Sequence, residues 1–436
     1  MEKRTQMISL IKLAQEGKIE TTGAKPKLPI KVDGVSSETL DVYKIPLKYL
    51  YYNDQNGRIT TGIAEYGEEI HPAYDNENPE YNETIAKIIE NGSASDLKRT
   101  QKSIEESGQQ VYGWILDDGR VIDGNRRFTA LRNIQKKTGQ TIYFEAVLLP
   151  FSYKNKSERV KIKQLELALQ MGIEERENYD PVDLAIDIYQ TTGGKNPIMT
   201  LADYGKNSRM SKAKLHEYYF GAVYVKKFLE FIGAPETSYN IVKESKTWTQ
   251  FQVMGKVLNN EFGDDAEAQV KKNETMQSYF GIILHQMHVG VTGNTARNQV
   301  RDFGKYIVKS SDNNDFNDEV IDVVDDLSYA IQDAHVKNYT ELSKELSNEN
   351  DLIKEFGESY DAHMRAAKNG ESVDKFIKSV KDIVKEIRTI NDNNGLTGSL
   401  RYNEISNSQL KELQSYMRDL SLTSKELFEK YGSEVR

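Results

Sequence analysis

The spacing of hydrophobic and polar residues changes along the chain, and the change divides it near residue 150. Before that point, two apolar runs with the length of strands occur, at 111–116 and 142–149, and the polar stretch 53–78 between apolar segments is predicted to be a loop. Helical spacing occurs in three segments, 81–90, 96–107 and 125–137. Because strands and helices alternate here, we predict a small mixed α/β domain.

After residue 150, helical spacing dominates. Apolar residues near the C-terminus are spaced by four and three residues in turn, at Phe376, Val380, Ile383, Ile387 and Ile390. A second amphipathic helix follows, and with only two to three heptads the pattern favours a hairpin that packs within its own chain over a coiled-coil dimer. We therefore predict an α+β protein with a mostly α-helical C-terminal half. Its predicted parts are an N-terminal helix and linker (1–40), the α/β domain (41–150), a helical domain with a helix-turn-helix (151–235) and an α-helical domain (236–436).

Composition narrows the class of protein. Among 436 residues, 38% are hydrophobic and 29% charged, and there is no cysteine. Because the chain has no thiol, a disulfide scaffold, a thiolate zinc site, an iron–sulfur cluster and a cysteine nucleophile are excluded. Neither a transmembrane run of ~18 apolar residues nor the apolar core of a secretory signal is present, so we expect a cytoplasmic protein that does not bind membranes.

Charge is distributed unevenly. The chain carries a net charge of −9, which by itself disfavours binding to nucleic acid. Segment 206–227, however, is rich in lysine and arginine, whereas segment 312–326 contains seven acids and no lysine or arginine. Local charge matters more than the total when a protein binds a charged partner.

The densest candidate chemistry lies where a predicted strand runs into Gly124 and turns at once into a helix. Glycine allows the backbone to approach a ligand closely, and the free N–H groups of a helix N-terminus favour an anion. Arg126 and Arg127 add planar donors suited to phosphate. Asp123 could orient an arginine, hold a metal or act as a catalytic base. The alternative is an ordinary turn with a solvated arginine pair.

A second candidate site is the segment 200–215, which is predicted to form a helix, a glycine-containing turn and a second helix capped by Ser211. Its basic residues suit DNA phosphates or base edges in a major groove. The alternative is a basic hairpin on the protein surface. The residues predicted to bind DNA are Lys206, Ser208, Arg209, Ser211, Lys212, Lys214 and His216.

The sequence GNRRFTAL at 124–131 resembles the "GERR" box of the ParB/sulfiredoxin superfamily. Segments 53–58, 104–110 and 176–185 are similar to other ParB boxes in the same order, and the helix-turn-helix follows where that family has it. The resemblance covers about residues 41–225. It implies a ParB/sulfiredoxin-like domain in which Arg58, Gln110, Asn125 and Arg176 join the glycine and arginines around nucleotide phosphates.

The same resemblance implies CTP with Mg²⁺ as ligand and double-stranded DNA as partner. The chain departs from the family where Gly172 and Ile173 replace its Glu-Asn pair. The pattern also leaves open whether the chain forms a homodimer.

Three functional classes follow. The first is a DNA-binding, nucleotide-sensing protein that acts in partition or transcriptional control on a plasmid or phage. The second is a ParB-like nuclease, phosphotransferase or CTPase-like hydrolase, with Asp123 as base or metal ligand. The third is an interaction module of a phage or defence complex.

Overall fold

A computed structural model describes most of the chain. The chain divides into two compact units, residues 1–364 and 365–436. The described residues are 8–35, 37–66, 71–153, 155–172, 179–194, 196–370, 373–392 and 406–432.

The first unit begins with a mixed six-stranded sheet. Its strands are β1 (Glu20–Thr21), β2 (Val42–Pro46), β3 (Tyr51–Tyr52), β4 (Gly113–Leu116), β5 (Arg120–Asp123) and β6 (Tyr143–Leu149). The spatial order is β1-β2-β6-β4-β5-β3. Strand β4 pairs parallel with β6 and antiparallel with β5, while β5 pairs parallel with β3. Strands β4 and β5 are neighbours inside the sheet. Strand β5 ends at Asp123, and the next helix begins at Asn125.

The helices among the described residues up to 149 are α1 (Leu10–Gln15), α2 (Thr60–Tyr66), α3 (Pro79–Gly92), α4 (Ala94–Ser107) and α5 (Asn125–Thr138). Successive side chains of a strand point to opposite faces, so the sheet has two apolar cores. Ile115 and Val121 lie in the core shared with α3 and α5, whereas Trp114 and Ile122 lie in the core shared with the next helix. The sheet is therefore covered by helices on both faces.

The described residues in the rest of the first unit are mostly helical. The helices are α6 (Lys156–Gly172), α7 (Pro181–Thr192), α8 (Leu201–Ser208), α9 (Lys212–Phe231), α10 (Asn240–Glu244), α11 (Trp248–Glu261), α12 (Ala266–Val289), α13 (Gly293–Phe303), α14 (Asp312–Asp333), α15 (Tyr339–Asn348) and α16 (Asn350–Asn369), of which residues 350–364 belong to this unit. A π-helical turn, Gly304–Val308, joins α13 to the segment before α14.

The second unit contains α17 (Val373–Asp392) and α18 (Asn407–Gly432). The rings of Phe376 and Tyr431 lie 5.2 Å apart between centroids, so the start of α17 contacts the end of α18. This contact is typical of two antiparallel helices.

The coarse prediction of a mixed α+β protein with a mostly helical C-terminal half is confirmed. The prediction of a loop over 53–78 is wrong, because this stretch contains a 3-10 turn, Gly57–Ile59, and helix α2. The predicted N-terminal linker likewise contains strand β1. The side chain of Asn56 caps the turn by accepting from the backbone N–H of Arg58. Gly62 brings α2 so near α3 that a Cβ there would lie 2.5 Å from Ile88. Gly62 thus serves the packing of α2 against α3.

Candidate functional site

A large cavity among the described residues, with a volume of about 800 Å³, lies in the first unit between α2, α3, α4, α5, α7 and α10. It brings together seven of the eight residues predicted for the phosphate site and its candidate base, while Arg176 lies outside the described residues. The seven are Arg58, Gln110, Asp123, Gly124, Asn125, Arg126 and Arg127.

The start of α5 is shaped by Gly124. Its φ of 94° is in the left-handed region, and a Cβ there would lie 3.0 Å from the ring of Phe144 and 3.1 Å from the guanidinium of Arg127. Glycine is therefore needed for both backbone conformation and space. Gly124 is also the residue that precedes α5, and it has no side chain that could accept a hydrogen bond from the first N–H groups of this helix.

Asn125, the first residue of α5, is 7% exposed and lines the cavity. Within the described part of the chain, neither its amide oxygen nor its amide nitrogen has a hydrogen-bond partner. A buried polar group without a partner costs free energy of roughly 1–3 kcal/mol. A buried amide without a partner, in a residue that lines a cavity beside a helix N-terminus, suits a polar, anionic ligand.

The two arginines at the start of α5, Arg126 and Arg127, are held by carboxylates. Arg127 donates through Nη2 to Asp123 at 2.9 Å and to the carbonyl of Tyr112 at 3.3 Å. Arg126 lies 3.5 Å from Asp96, which is also 2.7 Å from Arg99. Asp123 therefore orients an arginine, which is one of its three predicted roles. The contact between Arg126 and Asp96 is long, and the guanidinium is 30% exposed, so a ligand anion can compete for it.

Sequence reasoning missed another wall of the cavity, which comes from α7 and α10. The ammonium group of Lys243 donates to Thr61 at 2.5 Å and to Asp183 at 2.9 Å, joining α10, α2 and α7. Burial raises the pKa of Asp183, and Lys243 opposes this shift. The amide oxygen of Asn240 is buried there without a hydrogen-bond partner among the described residues. No local motif marks these residues, because more than 110 positions separate Lys243 from Asn125.

Helices α8 and α9 form a helix-turn-helix whose connection spans residues 209–211. The predicted turn glycine, Gly205, instead lies inside α8, where a Cβ would approach Leu215 of α9 to 2.8 Å. The left-handed residue of the turn is Arg209, with φ of 54°. Ser211 caps α9 as predicted by accepting from the N–H of Lys214.

The residues predicted to bind DNA do not all share one environment. Most are exposed around the turn: Lys206, Arg209, Ser211, Lys212 and Lys214. His216 is half-buried, with its ring 5.9 Å from Phe220. Ser208 is completely buried, and its hydroxyl donates to the carbonyl of Gly205 at 3.4 Å. Ser208 lies inside α8, which continues past Gly205 where the sequence predicted a turn, so we remove Ser208 from the candidate DNA surface.

A smaller cavity of about 90 Å³ lies beside the helix-turn-helix and shares lining residues with the large cavity. Arg58 and Gln170 line both cavities, and Met210, Lys214 and Tyr218 line the smaller one. The ammonium of Lys214 lies 5.7 Å from the ring centroid of Tyr218. The start of α9 therefore adjoins the residues that surround the candidate anion site.

A buried charged network lies beneath these cavities. Lys163 of α6 donates to Asp187 of α7 at 2.7 Å and lies 3.5 Å from Glu166, and Tyr204 of α8 donates to Asp187 at 2.7 Å. Glu166 also accepts from the N–H of Gly57 at 3.4 Å. Burial raises the pKa of the Glu166 carboxyl to about 7. The network ties the helix-turn-helix to the turn that carries Arg58.

Comparisons of the chain with protein-family models, with curated proteins and with solved structures found no match. Among the described helices, none has the length and apolarity needed to cross a membrane. The described residues also contain no group of three or more histidines or carboxylates placed to hold a metal ion.

Proposed function

We propose that this chain is a DNA-binding protein that senses a phosphorylated ligand, with a nucleotide as the leading candidate. One observation carries the proposal: three separate segments of the chain, at Arg58, Gln110 and 123–127, line a single cavity that also contains an uncapped helix N-terminus. A volume of about 800 Å³ is in the range of small-molecule sites and exceeds the needs of one phosphate group.

In this proposal the α/β part is ParB/sulfiredoxin-like, and the ligand's phosphate binds at the start of α5. The N–H groups of the helix and the amide of Asn125 donate to it, and Arg126 moves from Asp96 to the ligand. CTP is the nucleotide that the resemblance favours. The residues fit its phosphates, but the described chain offers no carboxylate cluster for Mg²⁺, so we derive no step that depends on a metal.

The proposal is tested by isothermal titration calorimetry with CTP, ATP and GTP. We expect one of them to bind the full chain, and Arg126→Ala to weaken its binding by about tenfold or more. Arg297→Ala, at an exposed arginine of α13 outside the cavity, is the matched control and should bind like the original. Equal binding by Arg126→Ala, or no binding of any nucleotide, would refute the nucleotide site.

DNA is the proposed second ligand, bound by the exposed basic residues around the turn between α8 and α9. An electrophoretic shift with random duplex should weaken steeply with salt, because lysine and arginine displace counterions from phosphates. Lys212→Ala should reduce both affinity and salt slope, while Lys411→Ala on α18 should change neither. A shift that is absent, or insensitive to salt, would contradict DNA binding.

The biological setting we propose is partition or transcriptional control on a plasmid or phage, in the cytoplasm. A phosphotransferase or nuclease is less well supported, because Arg127 occupies an oxygen of the candidate base Asp123. Turnover of DNA or nucleotide with Mg²⁺ or Mn²⁺ that Asp123→Asn abolishes would favour that enzyme instead.

A further inference from the structure

A row of basic side chains follows one face of α13 and of the π-helical turn after it. Its members are spaced by four residues and are all exposed: Arg297, Arg301, Lys305 and Lys309. The opposite face is apolar, and its side chains are completely buried: Ala296, Val300, Phe303 and Ile307. The segment therefore turns a polar, cationic side to the solvent.

The π-helical turn helps to keep this row in line. In an α-helix, positions four residues apart drift by about 40° around the axis at each step, because a turn takes about 3.6 residues. A π-helical turn contains more residues, so the two lysines of the row return toward the line of the two arginines. Gly304 lets the turn pack closely, since a Cβ there would lie 2.8 Å from the hydroxyl of Tyr279 and 2.8 Å from Val257. The packing of the turn thus fixes the place of the row on the fold.

The surface around the row is basic, although the chain as a whole is acidic. Residues 248–261 and 293–309, which cover α11, α13 and the turn, carry five basic and two acidic residues, against a net charge of −9 for the whole chain. Of the two acids, Glu261 lies 2.7 Å from Lys309. Asp302 lies 3.5 Å from Arg301. Exposed ion pairs of this kind contribute little free energy, so the phosphates of a polyanion can replace these carboxylates.

Helix α11 connects the row to the helix-turn-helix. A Cβ on Gly255 of α11 would lie 3.4 Å from Phe220 of α9. Two positions further on, Val257 lies against Gly304 of the π-helical turn. Lys256, between these two contacts, is exposed. Basic residues therefore continue from α9, whose start carries candidate DNA-binding residues, across α11 to α13.

Duplex DNA is the polyanion that fits this surface best. Helices that bind an anionic membrane also insert large apolar side chains, and the apolar side chains of α13 are buried in the core. DNA presents phosphates at regular intervals, which exposed lysines and arginines bind without inserting apolar groups. The surface also adjoins α9, so it continues the DNA interface proposed above.

We propose that α11, α13 and the π-helical turn form a second DNA-binding surface. Its phosphate-binding residues are Lys256, Arg297, Arg301 and Lys305. The second surface depends on the DNA binding proposed for α8 and α9, and it lies outside residues 41–225, which carry the family resemblance. Because its contacts are with the DNA backbone, it adds affinity and length of bound duplex without reading the base sequence.

The test measures binding of the full chain to a random duplex of about 30 base pairs across salt concentrations, by fluorescence anisotropy. The variant combines three substitutions, Arg297→Gln, Arg301→Gln and Lys305→Gln. Each phosphate contact adds roughly −0.9 to the slope of log affinity against log salt, so we expect a slope that is shallower by about 2 to 3. Affinity at physiological salt should fall about 10- to 100-fold.

The matched control removes the same number of charges elsewhere in the first unit. It combines substitutions at three exposed lysines, Lys337→Gln, Lys344→Gln and Lys354→Gln. It should keep the original slope. An equal loss of slope in this control would show an effect of net charge alone and would overturn the second surface.

A second measurement uses the original chain, so that it does not depend on the folding of a variant. Amine acetylation read by mass spectrometry should fall at Lys256 and Lys305, as well as at Lys212, when the duplex is added. Acetylation of Lys344 should stay unchanged. Protection confined to Lys212 would overturn the second surface.

The outcomes separate this surface from the helix-turn-helix. If the triple variant at α13 and the turn binds like the original chain while Lys212→Ala weakens binding, the second surface is refuted and DNA binding by α8 and α9 stands. If the original chain binds no duplex, both are refuted.

Discussion

Among single residues, the carboxylate of Asp96 binds an arginine that we propose to bind the phosphate of a ligand. It holds both Arg99 and Arg126, and Arg126 is one of the proposed phosphate donors. Replacing Asp96 by asparagine removes the competing charge, so we predict that Asp96→Asn binds inorganic phosphate and nucleotide roughly 3- to 10-fold more tightly. Calorimetry measures the change. Unaltered or weaker binding would show that Asp96 positions Arg126 instead of competing with the ligand.

Gly124 supplies a second prediction at this scale, because its backbone conformation is costly for any other residue. We expect Gly124→Ala to lose about 1–2 kcal/mol of unfolding free energy in denaturant titration. It should also lose anion binding, since the new Cβ would meet the Arg127 guanidinium at 3.1 Å.

The matched control for that change is Gly139→Ala at the other end of α5. Gly139 has a φ of 68°, but a Cβ there would meet no atom within 4 Å. Its replacement should cost similar stability and leave anion binding intact. Equal binding by the two alanine variants would show that the space at Gly124 is not used for a ligand.

At the scale of elements, the helix-turn-helix carries a strained residue at its turn. Arg209 adopts a left-handed conformation that costs most residues roughly 1–2 kcal/mol, and glycine avoids this cost. We predict that Arg209→Gly leaves the unfolding free energy unchanged or raises it by up to about 1 kcal/mol, while DNA affinity falls. Denaturant titration and electrophoretic shifts measure the two effects. If DNA affinity holds, Arg209 is not part of the DNA surface.

Helices α3, α4 and α5 and strands β4 to β6 could be predicted because their local signals agree. Asn78 and Pro79, for example, begin α3 with a side-chain cap and a residue suited to a first helical turn. Helix α2 could not be predicted, since the function of Gly62 depends on Ile88 in another helix. The burial of Ser208 was missed for a similar reason: sequence spacing did not reveal how far α8 extends.

At the scale of the whole molecule, the buried network of Lys163, Glu166 and Asp187 predicts a pH dependence of stability. The folded pKa of Glu166, about 7, lies above the ordinary value of 4.5, so the folded state binds the proton more tightly than the unfolded state. Stability contributed by this group is greatest below pH ~4.5 and falls as pH rises to about 7. Denaturant titrations of Glu166→Gln should be flatter across this window than those of the original chain.

The control for the pH prediction is Glu358→Gln, at an exposed position of α16, which should keep the original slope. Lys163 retains its 2.7 Å bond to Asp187 when Glu166 is replaced, so the variant does not leave a buried ammonium group alone. Parallel curves for Glu166→Gln and the original chain would contradict the raised pKa.

The shared lining of the two cavities predicts that ligand and DNA influence each other. Arg58 faces both the large cavity and the one beside Lys214. A nucleotide that binds should therefore change DNA affinity, and by thermodynamic linkage DNA must change nucleotide affinity by the same factor. Calorimetry with and without duplex measures this factor, and Arg58→Ala should reduce it. A factor of one in the original chain would show that nucleotide and DNA do not affect each other's binding.

The position of Lys243 in the wall of the large cavity has a consequence for any attempt to study the protein in pieces. Lys243 lies beyond both predicted domain boundaries, at residues 150 and 235, whereas most of the cavity wall comes from residues before 150. A fragment that stops at residue 235 would therefore leave Thr61 and Asp183 without Lys243 and offer a ligand a cavity that lacks its α10 wall. Affinities measured on such a fragment would describe a different receptor.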